Sequence, residues 1–182
     1  SRGLGDVYKR QDTIRQADSA IRSVAPKLND AQRQIALAIG DFETGFGVKD
    51  SWVTKDGVPS YNWGGLVGKG TAGSLVHGDL APEGTPVTYG FMAFNNMEEA
   101  AAAFMKTWGR SDTLAAAAAG DALAVGRAMC THAYFGGVKG TADERAQLYG
   151  KGILSKAKGI AAALGEPLYV NWDSTKSPEL YG

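Results

Sequence analysis

Sulfur and imidazole are scarce in this chain: 182 residues include one cysteine, Cys130, and two histidines, His77 and His132. A lone cysteine excludes an internal disulfide framework and leaves no second Cys for a Cys-rich metal site. His77 and Asp79 alternate and can share one strand face, but two groups fall short of a metal site, which wants three or four ligands. The same scarcity leaves no Ser, Cys and His combination for a catalytic triad, so Cys130 reads as a small buried hydrophobe in a helix and His132 as structural. Net charge is missing as well. Nineteen basic and nineteen acidic side chains cancel, which disfavours long-range attraction to nucleic acid or anionic lipid. Long apolar runs are also lacking, because the alanine-rich stretch at 115–119 is cut by Gly120 and Asp121, so no membrane insertion is expected. The lone "GKGTAG" at 68–73 lacks the strand-to-helix context of a phosphate loop.

What is present is an ordinary globular composition, 44% hydrophobic and 21% charged, enough for one buried core and one domain. The first residues stand apart. "DVYKRQ" (Asp6 to Gln11) is the translation of GAT GTG TAT AAG AGA CAG, which matches a transposase end used as a sequencing adapter. Residues 1–11 are therefore read as an assembly scar and 12–182 as a single domain, and the lack of a signal peptide carries no information about export. On that reading, deleting residues 1–11 leaves melting temperature and activity unchanged.

Ile14, Ala17, Ile21 and Val24 recur at helical spacing and stop before Pro26. A second helix starts at Asn29 or Asp30, carries Ile35, Ala38, Ile39, Phe42 and Phe46 on one stripe, and ends at Gly45 and Gly47. From Val48 to about Phe94 no helical period survives and Gly and Pro are frequent, which predicts a loop-rich lobe. One strand is expected over 85–94, with turn residues in "HGDLAPEGTP" before it. Helix returns at the capping box Asn96 to Glu99 and stops at Gly109. Two more helices follow, one around Leu123, Arg127 and Cys130, the other from the capping box Thr141 to Glu144 to Gly165 and Pro167. Trp172 and Tyr181 in the irregular tail are expected to pack back on the helices. The predicted fold class is α+β, mainly helical: a helical body with a small β or loop lobe beside a cleft.

Glu43 ends the apolar helix between Phe42 and Phe46, among glycines that let a large ligand approach the backbone. Partial shielding there raises a carboxyl pKa and suits a general acid. Four blocks carry a resemblance: "IALAIGDFETGFG" (35–47), "YNWGGLVGKG" (61–70), "YGFMAFNNMEEAAAAFMKTW" (89–108) and "AYFGGVKGTADERAQLYGKGI" (133–153). In this order they resemble the glucosaminidase-type peptidoglycan hydrolases, glycoside hydrolase family 73, relatives in fold of the lysozymes. The resemblance puts Glu43 on the family's catalytic glutamate, Thr44 on its small hydroxyl residue and Phe46 in place of its tryptophan. It makes residues 61–70 one wall of the cleft and either Tyr134 or Tyr149 the cleft tyrosine.

Glycoside hydrolysis normally uses two carboxyl groups. The second is expected from the small lobe, from which the resembled family also draws its proposed second carboxylate, at Asp79 or Glu83, with Asp79 preferred; both equally fit plain turn chemistry. Tyr61, Asn62, Trp63, Tyr89 and Tyr134 form an aromatic and amide set suited to N-acetyl sugars. The resemblance implies a monomeric wall hydrolase acting on peptidoglycan glycan strands, outside the cell or in the wall, with no cofactor. The activity implied is endo-β-N-acetylglucosaminidase. The alternatives are muramidase or lytic transglycosylase chemistry on the same fold, or a catalytically silent glycan-binding or virion module.

Overall fold

The computed structural model describes residues 4–46, 59–80, 83–132 and 139–172, with the backbone alone described at 4–8, 76–80 and 87–89. Among these residues the order is α1 (Leu4–Val24), α2 (Asp30–Thr44), β1 (Ser74–Leu80), β2 (Pro86–Met92), α3 (Met97–Trp108), α4 (Ser111–Ala118), α5 (Ala122–Thr131) and α6 (Ala142–Leu164). The fold is α+β and mainly helical, as expected. It divides into two compact units, one from residues 1–26 and 40–107, the other from 27–39 and 108–182. No helix among the described residues is long and apolar enough to cross a membrane.

The helix boundaries follow from capping chemistry. Asn29 opens α2 in a reciprocal box: its Oδ1 accepts from the Gln32 N–H at 2.8 Å while Gln32 Oε1 accepts from the Asn29 N–H at 2.8 Å. Gly45 closes it with a left-handed φ of 63°. At α3, Asn96 Oδ1 accepts from the Glu99 N–H at 2.8 Å. The Glu99 carboxylate turns back to the Asn95 N–H and accepts from Thr71 Oγ1, and these bonds, the Thr71 one foremost, hold its pKa below the usual value. At α6, Thr141 Oγ1 accepts from the Glu144 N–H at 3.2 Å and Gly165 ends the helix at φ 64°.

Three expectations are corrected. Residues 77–80, assigned to turn chemistry, lie in β1, which pairs antiparallel with β2 from Ser74↔Met92 to Leu80↔Pro86. Helix α4 went unforeseen because its alanines carry no apolar period, although alanine has the strongest helix propensity of any residue. Cys130 is partly exposed rather than buried, with desolvation pushing its thiol pKa up. Trp172 does pack on α6: a Cβ at Gly150 would sit 2.6 Å from its Cζ3. Gly47 and Tyr181 lie outside the described residues.

In the second unit α5 and α6 meet through glycines. A Cβ at Gly126 would lie 2.4 Å from the Ala146 carbonyl oxygen, so the backbones touch where the side chain is missing. Ile153, Ala157, Ile160 and Leu123 fill the rest. The first half of α2 is tied to the segment after α6 by buried polar groups. Arg33, 4% exposed, pairs with Glu166 at 2.8 Å; Gln34, fully buried, donates to the Glu166 carboxylate and the Pro167 carbonyl and accepts from the Tyr169 N–H. Thus α2 is buried on all sides from Arg33 to Asp41, not on the single stripe its sequence suggested.

In the first unit the α1 stripe of Ile14, Ala17 and Ile21 is fully buried, while Val24 at the helix end is 36% exposed. The helix starts upstream of the expected segment and passes through Arg10, whose guanidinium pairs with Asp41 at 2.5 Å. The Asp41 side chain is 1% exposed and its Oδ1 has no hydrogen-bond partner. Loss of Arg10 leaves that carboxylate buried and unpaired, a change that typically costs about 3 kcal/mol or more. Deleting residues 1–11, or Arg10→Ala alone, is therefore expected to lower the melting temperature, in place of the silent deletion anticipated from the codons. Thermal unfolding of the two variants beside Asp41→Asn/Arg10→Ala checks this, the double variant recovering part of the loss.

Candidate active site

Glu43 occupies the last turn of α2 and is half-buried. The helix end is pinned by its neighbour Thr44, 1% exposed, whose hydroxyl lies 3.0 Å from the Gly40 carbonyl and 2.7 Å from that of Trp63 and also accepts from the Phe46 N–H. Trp63 is fully buried. Its indole lies on Gly40, where a Cβ would come within 2.4 Å of Cε3, and against Phe46 at 5.9 Å and Phe104 at 4.6 Å. A Cβ at Gly64 would in turn meet Phe104 Cδ2 at 2.5 Å. The segment 62–65 is thereby packed against the end of α2.

This packing brings Gly65 beside the glutamate. A Cβ there would sit 3.2 Å from Glu43 Cβ and 3.9 Å from its Oε2, and Gly65 adopts φ +65°, a left-handed conformation that glycine takes without strain. One flank of the carboxylate is thus bare backbone. The following residues are stitched to the hairpin: the Met92 N–H donates to the Leu66 carbonyl, the Gly68 N–H to that of Gly90, and Val67 bridges Phe91.

The expected sugar-binding set separates into different roles. Asn62, 1% exposed, spends its amide on the Leu66 backbone, donating to its carbonyl at 2.8 Å and accepting from its N–H at 2.9 Å. Asn62 and Trp63 are both shut off from the surface, the Asn62 amide being spent on Leu66 and the Trp63 indole N–H lying buried without a hydrogen-bond partner among the described residues, so the structure gives neither an exposed face for the sugar contact expected of it. Tyr61 differs. It stands at φ 57° between inward-facing Ser60 and Asn62, a left-handed conformation costing a non-glycine residue about 1 kcal/mol, and is partly exposed. Asp79 lies on β1 opposite Val87, and Tyr89 on β2 opposite His77; their side chains fall outside the description. Glu83 is exposed in the turn between the strands. Tyr134 lies outside the described residues, and Tyr149 is buried in α6.

His132 is structural. Its Nε2 donates to Asp112 at 2.7 Å, and its Nδ1 accepts from Arg110 at 3.0 Å, because a guanidinium can only donate. The pair holds the Asp112 carboxyl below its usual pKa. Among the described residues no cluster of three His, Cys, Asp or Glu side chains forms a metal site.

Solved structures share this architecture. The glycoside hydrolase domain of Salmonella typhimurium FlgJ superposes with a TM-score of 0.56 at 18% identity, over 94% of this chain and 98% of that one. A peptidoglycan hydrolase mutant from Sphingomonas sp. A1 gives 0.57 at 22% identity, over 85% and 98%, and the catalytic domain of the autolysin Auto from Listeria monocytogenes 0.55 at 14%, over 91% and 87%. The chain shares the fold of these domains. No protein-family model and no curated protein matches the sequence.

Within this glycoside hydrolase fold, the residue that sequence reasoning missed is Gly65. Its signal was the glycine pair in "NWGGL", which marks close approach to another backbone or side chain. Gly65→Ala is expected to lower stability by about 1–2 kcal/mol through its left-handed φ, and further because its Cβ would crowd Glu43 Cβ at 3.2 Å. Gly73→Ala is the control, since Gly73 also has positive φ, +100°, but nothing lies within 4 Å of its Cβ position. Thermal unfolding is expected to show a larger loss for the first variant than for the second.

Proposed function

We propose that the protein is a peptidoglycan hydrolase that cuts β-1,4 bonds of the wall glycan, as an endo-β-N-acetylglucosaminidase with Glu43 as general acid. The observation that carries this reading is the half-buried Glu43 at a rigid helix end, with the bare backbone of Gly65 along its flank. A polymer needs such access, because a glycosidic oxygen must come within hydrogen-bond reach of the acid. The fold shared with domains described as glycoside and peptidoglycan hydrolases supports the substrate class.

In this reading Glu43 gives its proton to the glycosidic oxygen as the C1–O bond breaks, and positive charge spreads over C1 and the ring oxygen. Asp79, from the hairpin joined to the loop beside Glu43, is the second carboxyl group. It stabilises that charge, or orients the sugar's own acetamido group if that group attacks C1; water completes hydrolysis. Tyr61, Tyr89 and Tyr134 contact the sugars. No cofactor is required, and the protein works as a monomer outside the cell or in the wall.

Glu43→Gln preserves shape and removes the proton, so it is expected to keep the wild-type melting temperature and lose about 10²- to 10⁴-fold in turbidity clearance of purified walls. Clearance near the wild-type rate would overturn the assignment. Mass spectrometry of the products reads the bond: reducing N-acetylglucosamine ends support the glucosaminidase, reducing muramic ends the muramidase, and anhydro ends the transglycosylase. Asp79→Asn is expected to lower kcat by a smaller factor than Glu43→Gln with little change in melting temperature, and Glu83→Gln to do little. The reverse pattern would move the second role to Glu83.

A further inference from the structure

A groove of about 430 Å³ runs along the first unit between α1, the start of α3 and the loop that carries Gly65. Arg15 and Gln16 line it from α1, Asn96 and Glu98 from the start of α3, and Tyr61 from the loop. The left-handed backbone at Tyr61 sends this one side chain to the groove while Ser60, Asn62 and Trp63 turn inward.

The charges of the groove are open. Neighbouring charges on the same helices are engaged: Arg22 pairs with Asp18 at 3.0 Å, and the Glu99 carboxylate takes bonds from Thr71 and Asn95. Among the described residues Arg15 and Glu98 have no ion-pair partner, neither with each other across the groove nor with anything beside it. A cation, an anion and a tyrosine thus face one open groove that also holds the apolar Met97, beside Gln16, whose Nε2 donates to Asp12 at 3.0 Å, and Asn96, whose Oδ1 caps α3.

We infer that this groove binds the peptide stems carried on the glycan, recognised as short peptides that bear both a carboxylate and an amine. Arg15 takes the stem carboxylate, Glu98 the stem amine, and Gln16 and Asn96 stand beside the peptide amides. N-acetylglucosamine is uncharged, and the lactyl carboxyl of a muramic unit is tied up as an amide wherever a stem is attached, so on stem-bearing glycan only the peptide offers both a carboxylate and an amine to this charge pair. The inference rests on the peptidoglycan reading above and adds a specificity to it: a preference for glycan that carries stems.

The test uses the full chain on walls with intact stems and on the same walls stripped of stems by an amidase. For Glu98→Gln, whose amine partner is lost with the stems, the ratio of KM on intact walls to KM on stripped walls is expected to rise about threefold to fivefold, the size of one exposed charge contact, with kcat unchanged; for Arg15→Ala the rise is smaller, because the amidase leaves a lactyl carboxylate on the stripped glycan. An unchanged ratio in both variants overturns the inference, even if the enzyme is active. If the wild type cuts neither wall, the peptidoglycan reading fails, and the groove is judged by calorimetric titration of a synthetic stem peptide, alanyl-γ-glutamyl-lysyl-alanine. Binding that is weakened in both variants and kept in Glu43→Gln sustains it; no binding to the wild type overturns it.

Discussion

The contact of Trp63 with Gly40 governs the rest of the first unit. An indole can lie flat on a helix only where a Cβ is missing, and at Gly40 that Cβ would fall 2.4 Å from the ring. One turn later the Thr44 hydroxyl takes the Trp63 carbonyl, so the ring and the backbone of one residue are fixed to two successive turns of α2. Phe46 stacks on the indole at 5.9 Å and Phe104 meets it tilted at 4.6 Å. Every position after Trp63 inherits its distance from the helix, including Gly65 at Glu43 and, through the bridges to β2, the hairpin itself.

Two left-handed residues four positions apart then divide the labour of the loop. Tyr61 turns its side chain away from the packed interior, and Gly65 presents no side chain at all beside the carboxylate. Between them Asn62 uses its amide to close the turn on Leu66, so the two backbone outliers are held by a buried hydrogen-bond pair rather than by solvent. A helix end built this way is rigid support for the Glu43 side chain, as the proposed role of general acid requires.

Buried polar side chains give α2 its surroundings. Arg33 and Gln34 accept burial because Glu166, Pro167 and Tyr169 satisfy them, and Asp41 because Arg10 pairs with its Oδ2, its Oδ1 staying without a partner. Such groups add little net stability compared with an apolar core, but each punishes any arrangement that leaves it without its partner. They define which segment lies against which face of a helix that is otherwise uniform in alanine, leucine and isoleucine.

The sequence by itself determined what depends on neighbours a few residues away. The capping boxes at Asn96 and Thr141, the glycine ends at Gly45 and Gly165, the mainly helical α+β class and the place of Glu43 at a helix end were all legible, because caps and periodicity act within one or two turns. Helix α4 and strand β1 were not, since an alanine run has no period and a strand next to glycine and proline looks like a turn. Only the tertiary structure decided that Trp63 and Asn62 are packing and hydrogen-bonding elements while Tyr61 faces outward, that α2 is enclosed all round, and that Gly65 meets Glu43. Those outcomes depend on which distant residue arrives at a given face. A tryptophan reads the same in sequence whether a sugar or a glycine lies beneath it.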